Sequence, residues 1–278
     1  MKDKLNVYSK NITSQHGEDG ILEYIITSLD GKINNICCEF GAWDGIFASN
    51  TYNLWKNKNW HAVLIEGDKD KYDDLVANTI NLNHVDSIHS FVQPKDTDCL
   101  DDIFKNKNLP EHIGLLSIDI DSFDYHVWKN LKYVDPQIVV IEHNLFIPGY
   151  MEYYDLEGHP YLRCSAKSLE KLGRQKGYKL ICCTISNSIF IKDSLFDKDK
   201  FPDYPVEYLF DYSSIQSQIL MTGTSDNRYP INSKKISNFR FFLYKFYYRM
   251  QSLVKSNVSF IPPSNKVKEN FKKFDFFG

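Results

Sequence analysis

Four short runs of almost wholly apolar residues recur in this chain, and each closes on acids. Ile36-Cys37-Cys38 leads into Glu39 and, across the turn Gly41-Ala42-Trp43-Asp44-Gly45, into Asp44. Residues 62–65 end in Glu66, residues 113–118 in Asp119-Ile120-Asp121, and residues 138–141 in Glu142-His143. Strands without polar alternation have no solvated face, and when helices separate them they form a parallel sheet covered on both sides. Ligands of such sheets bind beyond the carboxyl ends of the strands. A single acid there is explained by a helix cap. Four strands in succession ending this way predict a polar site along one edge.

The intervening patterns agree with that sheet. Residues 70–78, 99–104 and 125–131 carry helical spacing, and residues 87–92 alternate as a strand. The turn at 41–45, with Ser49-Asn50-Thr51 behind it, reads as a strand-to-helix turn followed by a capped helix. Residues 165–176 form another helix, stopped by Gly177, and residues 179–185 and 188–192 read as two strands joined at Ser186-Asn187. The predicted fold is a Rossmann-like, doubly wound α/β sheet, mostly parallel with an antiparallel final strand, followed by a C-terminal helical extension. Its expected division is an N-terminal helical lid (1–30), the sheet domain (31–195) and an aromatic, basic extension (196–278).

Two segments carry alternatives. Ser14-Gln15-His16-Gly17-Glu18-Asp19-Gly20 opens an apolar helix from about Ile21 to Leu29, with Ser14 or Asp19 able to cap it. It reads either as a plain helix start or as a lid folding Gln15 and His16 over the ligand. In the extension, Phe239, Phe242, Leu243, Phe246, Met250 and Leu253 recur at helical spacing with Arg240, Lys245 and Arg249 off the stripe. Packing on the domain or on a second subunit is the expected role, so a homo-oligomer through this extension is one outcome; contact with a membrane surface is the minority reading. From Asn232 onward ten Lys and Arg face two acids, so this tail carries +8 and leaves −11 for the rest of a chain whose formal charge is −3. That asymmetry points to an internal or protein contact and away from nucleic acid.

The six cysteines include the adjacent pairs Cys37-Cys38 and Cys182-Cys183, both in apolar runs, and no C-x-x-C spacing occurs. They read as core fillers, which argues against structural zinc and a disulfide framework and for a cytoplasmic setting. No run of eighteen apolar residues is present, and neither a transmembrane segment nor a signal peptide is expected.

Nicotinamide dinucleotide and S-adenosylmethionine both fit a site of this kind. Glu66 lies 21 positions beyond Gly45, where an acid accepting from two ribose hydroxyls belongs. A dinucleotide, however, needs G-x-G-x-x-G, whose middle glycine lets the pyrophosphate reach the backbone; Ala42 or Trp43 stands there. A sulfonium cofactor needs no such approach and suits acidic strand ends.

Glu39-Phe40-Gly41-Ala42-Trp43-Asp44-Gly45 with Ser49-Asn50-Thr51 resembles the first motif of the FkbM-like class I methyltransferases. Val63-Leu64-Ile65-Glu66 resembles their second-strand acid, and Leu116-Ser117-Ile118-Asp119-Ile120-Asp121-Ser122-Phe123-Asp124-Tyr125 their fourth-strand motif. Val140-Ile141-Glu142-His143-Asn144 and Gly177-Tyr178-Lys179-Leu180 fit the same pattern, and the 14–20 opening recurs in a branch of that group. The likeness covers about residues 14–193. Trp43 departs from it, and the tail has no counterpart.

The resemblance implies S-adenosylmethionine as cofactor and methyl transfer to an oxygen of a small polar acceptor, such as a nucleotide-activated metabolite or a saccharide precursor of a surface polysaccharide. It implies a cofactor set of Gln15, Glu39, Gly41, Asp44, Asn50, Thr51, Glu66 and Asp119, with Asp119 and Asp121 at the reacting centre. His143 is the expected base, because an imidazole titrates near neutrality. Glu142, Asn144, Tyr150, Tyr154 and Arg163 are expected around the acceptor, Arg163 pairing with an anion on it; in a merely packed loop Arg163 would pair with an acid of this chain. A Mg²⁺ ion on Asp119, Asp121 and Glu142 is a further, less favoured option. The rival readings are a nicotinamide-dependent oxidoreductase and a catalytically silent binding module.

Overall fold

The computed structural model describes residues 3–157 and 162–212, and the backbone of residues 219–222 and 228–231. Seven strands, β1 (Ile36–Phe40), β2 (His61–Glu66), β3 (Val85–His89), β4 (His112–Ile118), β5 (Asp135–Glu142), β6 (Tyr178–Cys183) and β7 (Asn187–Lys192), form one sheet in the order β3-β2-β1-β4-β5-β7-β6. β1 to β5 are parallel, and β7 runs antiparallel to both β5 and β6. The chain builds outward from β1 to β3, then returns to start β4 on the other side of β1. That reversal opens a crevice between the carboxyl ends of β1 and β4.

The apolar runs become strands because both faces are covered. Every residue of β4 after His112 is buried, as is every residue of β2 after His61. Cys37, Cys38, Cys182 and Cys183 are fully buried, and all six cysteines are free thiols, matching the reading of small core fillers. Covering helices are α1 (Glu18–Ser28), α2 (Lys69–Thr79), α3 (Leu100–Asn106), α4 (Asp124–Asn130), α5 (Ala166–Gln175) and the short α6 (Val206–Leu209). Asp68 caps α2 by accepting from the N–H groups of Asp70 and Lys71, and Ser165 caps α5 by accepting from Ser168.

Three departures have physical causes. The helix expected after the 41–45 turn is a single π-type turn, Asn53–Asn57. The Glu39 carboxylate gathers Ser49, Asn50 and Thr51 at the strand end, and the chain cannot also begin a helix there. Secondly, α1 starts at Glu18, three residues earlier than about Ile21, with Gly17 at its cap. Asp19 does not cap it: its Oδ2 accepts from the backbones of Ile12, Thr13 and Ser14 (2.7, 3.0 and 2.9 Å) and from Ser14 Oγ at 2.7 Å. Glu18 meanwhile accepts from Thr184 Oγ1, Asn187 Nδ2 and the N–H of His16. Both buried acids of the 14–20 stretch therefore fasten the loop before α1.

Lastly, the division differs. Contacts group Met1–Tyr212 as one compact unit and Ser213–Gly278 as a second. Ile21, Leu22 and Ile25 of α1 share a core cluster with Cys37, Leu64 and Leu115, and Phe201, Val206, Leu209 and Phe210 are also buried, so residues 1–30 and 196–212 belong with the sheet. Within the second unit, β8 (Ile219–Thr222) pairs antiparallel with β9 (Arg228–Ile231). The amphipathic helix expected over 238–253, the tail beyond it, and His159 and Tyr161 lie outside the described residues. Among the described residues no helix is long and apolar enough to cross a membrane.

Candidate active site

A cleft of about 500 Å³ lies along the carboxyl edge of the sheet. Each of the five parallel strands delivers residues to it: Glu39 and Gly41 after β1, Glu66 and Gly67 after β2, Ser90 and Phe91 after β3, Asp119 to Phe123 after β4, and Glu142 from β5. Gln15 closes the wall from the loop that Asp19 organises. Among the described residues, five carboxylates and one lysine, Lys71, line the cleft, which sets it up for a cationic or hydroxyl-rich ligand.

The wall under β1 depends on a close approach. Gly41 has φ +73°, and a Cβ built on it would stand 1.8 Å from the carbonyl oxygen of Asp119. Only a residue without a side chain lets the ends of β1 and β4 come together there. The turn that follows uses most of its N–H groups internally. Ala42 N donates to the Ile65 carbonyl, Trp43 N to Glu66 Oε2 (2.8 Å), and Gly45 N to the Ala42 carbonyl. Ile46 N and Phe47 N both donate to Asp44 Oδ1. Asp44 thus holds the turn and is not on the cleft wall, and the turn presents no cluster of free donors to a phosphate.

Glu39 is buried, with each oxygen engaged. Oε2 accepts from Ser49 Oγ at 2.5 Å and Thr51 Oγ1 at 2.6 Å, and Oε1 accepts from Asn50 N at 2.9 Å. Hydrogen bonds to a carboxylate are worth about 1.5–3 kcal/mol each. Burial pushes the Glu39 pKa up, and these donors pull it back. Asn50 and Thr51 are thereby corrected from cofactor contacts to supports of Glu39; the Asn50 amide goes to Ser117 Oγ. Glu66 accepts from Trp43 N and, at 2.8 Å, from Asp68 N. One such bond per oxygen leaves each a further lone pair, and Glu66 lines the cleft.

The other end of the cleft is a carboxylate cluster. One oxygen from each of Asp119, Asp121 and Glu142 falls within 4.8 Å of the others. At that spacing each pair of charges repels by roughly 1–3 kcal/mol. Burial, with Glu142 and Asp124 nearby, pushes the Asp119 pKa well up. Burial raises Glu142 to about 7 even though the Arg163 guanidinium opposes the shift. Asp124, itself raised to about 6 by burial, fixes the loop by accepting from Ile120 N and Ser122 N.

Arg163 is the cation of this cluster. Its Nη1 donates to Asp121 Oδ1 at 2.8 Å and to Glu142 Oε2. The expectation that Arg163 awaits an anion on the acceptor is corrected: it pairs with acids of this chain. The same contact decides the fit of a divalent ion. Asp121 and Glu142 are already committed to a guanidinium, so the cluster does not fit Mg²⁺ and no step is routed through a metal.

His143 must also be reassigned. It is fully buried, its Nδ1 meets Ser188 Oγ at 3.0 Å, and its Nε2 has no hydrogen-bond partner among the described residues. Burial lowers its pKa to about 3, and it is not on the cleft wall. It stays neutral and out of reach of an acceptor. Asn144 is likewise structural, donating to the Leu162 carbonyl and accepting from Phe146 N. Tyr154 stacks on Tyr125 with centroids 4.2 Å apart, and neither Tyr150 nor Tyr154 lines the cleft.

Several wall residues had no role in the sequence reading. β3 ends at His89 rather than running to 92, which leaves Phe91 68% exposed with its ring over Gly67. Trp43 sits at φ +51°, with Lys71 Nζ 3.7 Å from its ring centroid and Phe47 alongside. The rule that ligands lie past strand ends, applied to β3, is the signal that would have found Ser90 and Phe91.

No protein-family model matches the chain, and no curated protein matches it. Among solved structures it is similar to a candidate caffeoyl-CoA O-methyltransferase from Staphylococcus aureus, at 14% identity over 69% of this chain and 93% of that one, with a TM-score of 0.43. It is also similar to TrmK from M. capricolum in complex with S-adenosyl-homocysteine, at 12% identity over 91% and 94% of the two chains, with a TM-score of 0.40. A SAM-dependent methyltransferase from Aquifex aeolicus shares 13% identity over 60% and 86%, with a TM-score of 0.38. Likenesses of this size carry no weight for activity, and the functional reading rests on the cleft.

Proposed function

We propose that the protein is an S-adenosylmethionine-dependent methyltransferase of the FkbM-like kind, acting on an oxygen of a small polar acceptor such as a saccharide or a nucleotide-activated metabolite. The observation that carries this reading is the pairing of a carboxylate-lined cleft with a glycine turn most of whose N–H groups are used within the chain. That combination repels a pyrophosphate and suits a cation bearing ribose hydroxyls. The strand order, with antiparallel β7 between β5 and β6, is also what the sequence resemblance leads one to expect.

The cofactor would supply an electrophilic methyl group on a sulfonium. Glu66 receives ribose hydroxyls through its remaining lone pairs, and Phe91 and Gly67 offer a flat apolar floor beside it. Gln15 and Glu39 border the amino-acid end. At the opposite end Asp119 and Glu142 face one another, burial raising the pKa of both and that of Glu142 to about 7. An ionised Glu142 takes the proton of the acceptor hydroxyl as its oxygen attacks. This gives Glu142 the role expected of His143.

Calorimetry with S-adenosylmethionine, against a spectral titration with reduced nicotinamide cofactor, tests the reading. The wild type is expected to bind the former, and Glu66→Gln, which keeps the shape but not two equivalent acceptors, should bind about tenfold to a hundredfold more weakly. Binding of the nicotinamide cofactor alone would overturn the proposal.

A further inference from the structure

We infer that Arg163 is the built-in counter-cation of the acceptor end of the cleft, a positioning residue whose guanidinium stands where a divalent ion would otherwise join Asp121 and Glu142. Three carboxylate oxygens this close repel one another, and the chain supplies a positive partner for two of them from 21 residues beyond Glu142. One nitrogen, Nη1, serves both carboxylates, and a guanidinium suits a part-buried pair because it stays charged and is more weakly hydrated than an ammonium.

The way Arg163 is mounted separates it from a chance surface ion pair. Its backbone N–H donates to Asp155 Oδ2 at 2.6 Å, and its carbonyl accepts from the N–H of Asp155 at 2.9 Å. Asp155 is buried; its Oδ2 also accepts from Leu162 N, its Oδ1 from Tyr153 Oη, and its carbonyl meets His126 Nε2 at 2.6 Å. Arg163 is held at φ +62° and Asp121, its partner across the cluster, at φ +57°. An aspartate adopts the left-handed region readily, whereas an arginine persists there only where its surroundings determine it. The Arg163 side chain is four-fifths covered and that of Glu142 more fully, so this arm of the contact is the one withdrawn from bulk water, while Asp121 stands in solvent.

The inference concerns the acceptor end of the cleft proposed above, but its test reads metal uptake and not turnover, so it stands or falls separately from methyl transfer. Full-length wild type, Arg163→Ala, Arg163→Lys and Arg163→Ala/Asp121→Asn/Glu142→Gln would be titrated with Mn²⁺ and followed by electron paramagnetic resonance. Wild type is expected to show no saturable binding tighter than millimolar. Arg163→Ala should gain one site at least tenfold tighter than anything in wild type, and the triple variant should lose it. Arg163→Lys, whose shorter reach and strongly hydrated ammonium make a weaker partner, should fall between the two. Stoichiometric Mn²⁺ binding by wild type overturns the inference, as does a folded Arg163→Ala that gains no site. Should Arg163→Ala fail to fold, Arg163→Lys decides: it must take up Mn²⁺ more tightly than wild type, or the inference falls.

Discussion

Gly41→Ala is expected to destabilise the protein by roughly 3–5 kcal/mol, adding a left-handed backbone penalty to an overlap with the neighbouring strand. The new methyl carbon would sit 1.8 Å from the Asp119 carbonyl oxygen, and backbone cannot yield as a flexible side chain does. Either β1 separates from β4, widening the crevice, or the acid loop at 119–121 shifts. Both outcomes disturb the two ends of the cleft together, so ligand affinity should fall by at least tenfold in whatever fraction remains folded. Gly31→Ala is the matched control: φ is again +73°, yet its Cβ would meet nothing within 4 Å. Urea denaturation of the two variants separates the conformational cost, about 1 kcal/mol, from the overlap. Equal midpoints would show that β1 and β4 do not approach as described.

Glu142→Gln carries the second large effect, on turnover. Removing a positioned proton acceptor costs about 10²- to 10⁴-fold. The pH dependence gives the sign. Glu142 works ionised, so with its pKa pushed up to about 7 the wild-type rate should climb as pH rises through neutrality. In the glutamine variant that rise should vanish. Stability runs the other way: a carboxyl whose folded pKa is raised from 4.5 to about 7 favours the fold while protonated. Its contribution is full below pH 4.5 and lost as pH climbs through about 7, and Glu142→Gln should flatten that part of the stability curve. An unchanged rate profile in the variant would remove Glu142 from the proton's path. Retention of the profile in His143→Gln is expected in either case, since His143 is enclosed.

The edge of the sheet was legible because burial on both faces writes itself into sequence as unbroken apolar runs, and the first polar residue after each run marks where cover ends. Glu39, Glu66, Asp119, Asp121 and Glu142 follow from that alone. What could not be read was which of two consecutive residues faces the cleft. Strand neighbours point to opposite faces, so Glu142 and His143 could not both line it, and the familiar chemistry of imidazole favoured the wrong one. The missing helix after Gly45 has a similar origin. Ser49, Asn50 and Thr51 look like caps in isolation, but a buried carboxylate ten or so residues back claims their donors. Arg163 lies beyond any local pattern, because its partners come from two other strand ends and its orientation from Asp155.

Trp43 gives the cleft an optical property. Trp55, Trp60 and Trp128 are 1%, 4% and 0% exposed, whereas Trp43 is 44% exposed on the cleft wall. Three indoles are shielded in the interior and one meets solvent where a ligand would lie. A small quencher such as acrylamide therefore addresses the cleft and leaves the core silent, so that intrinsic emission follows occupancy without any added label.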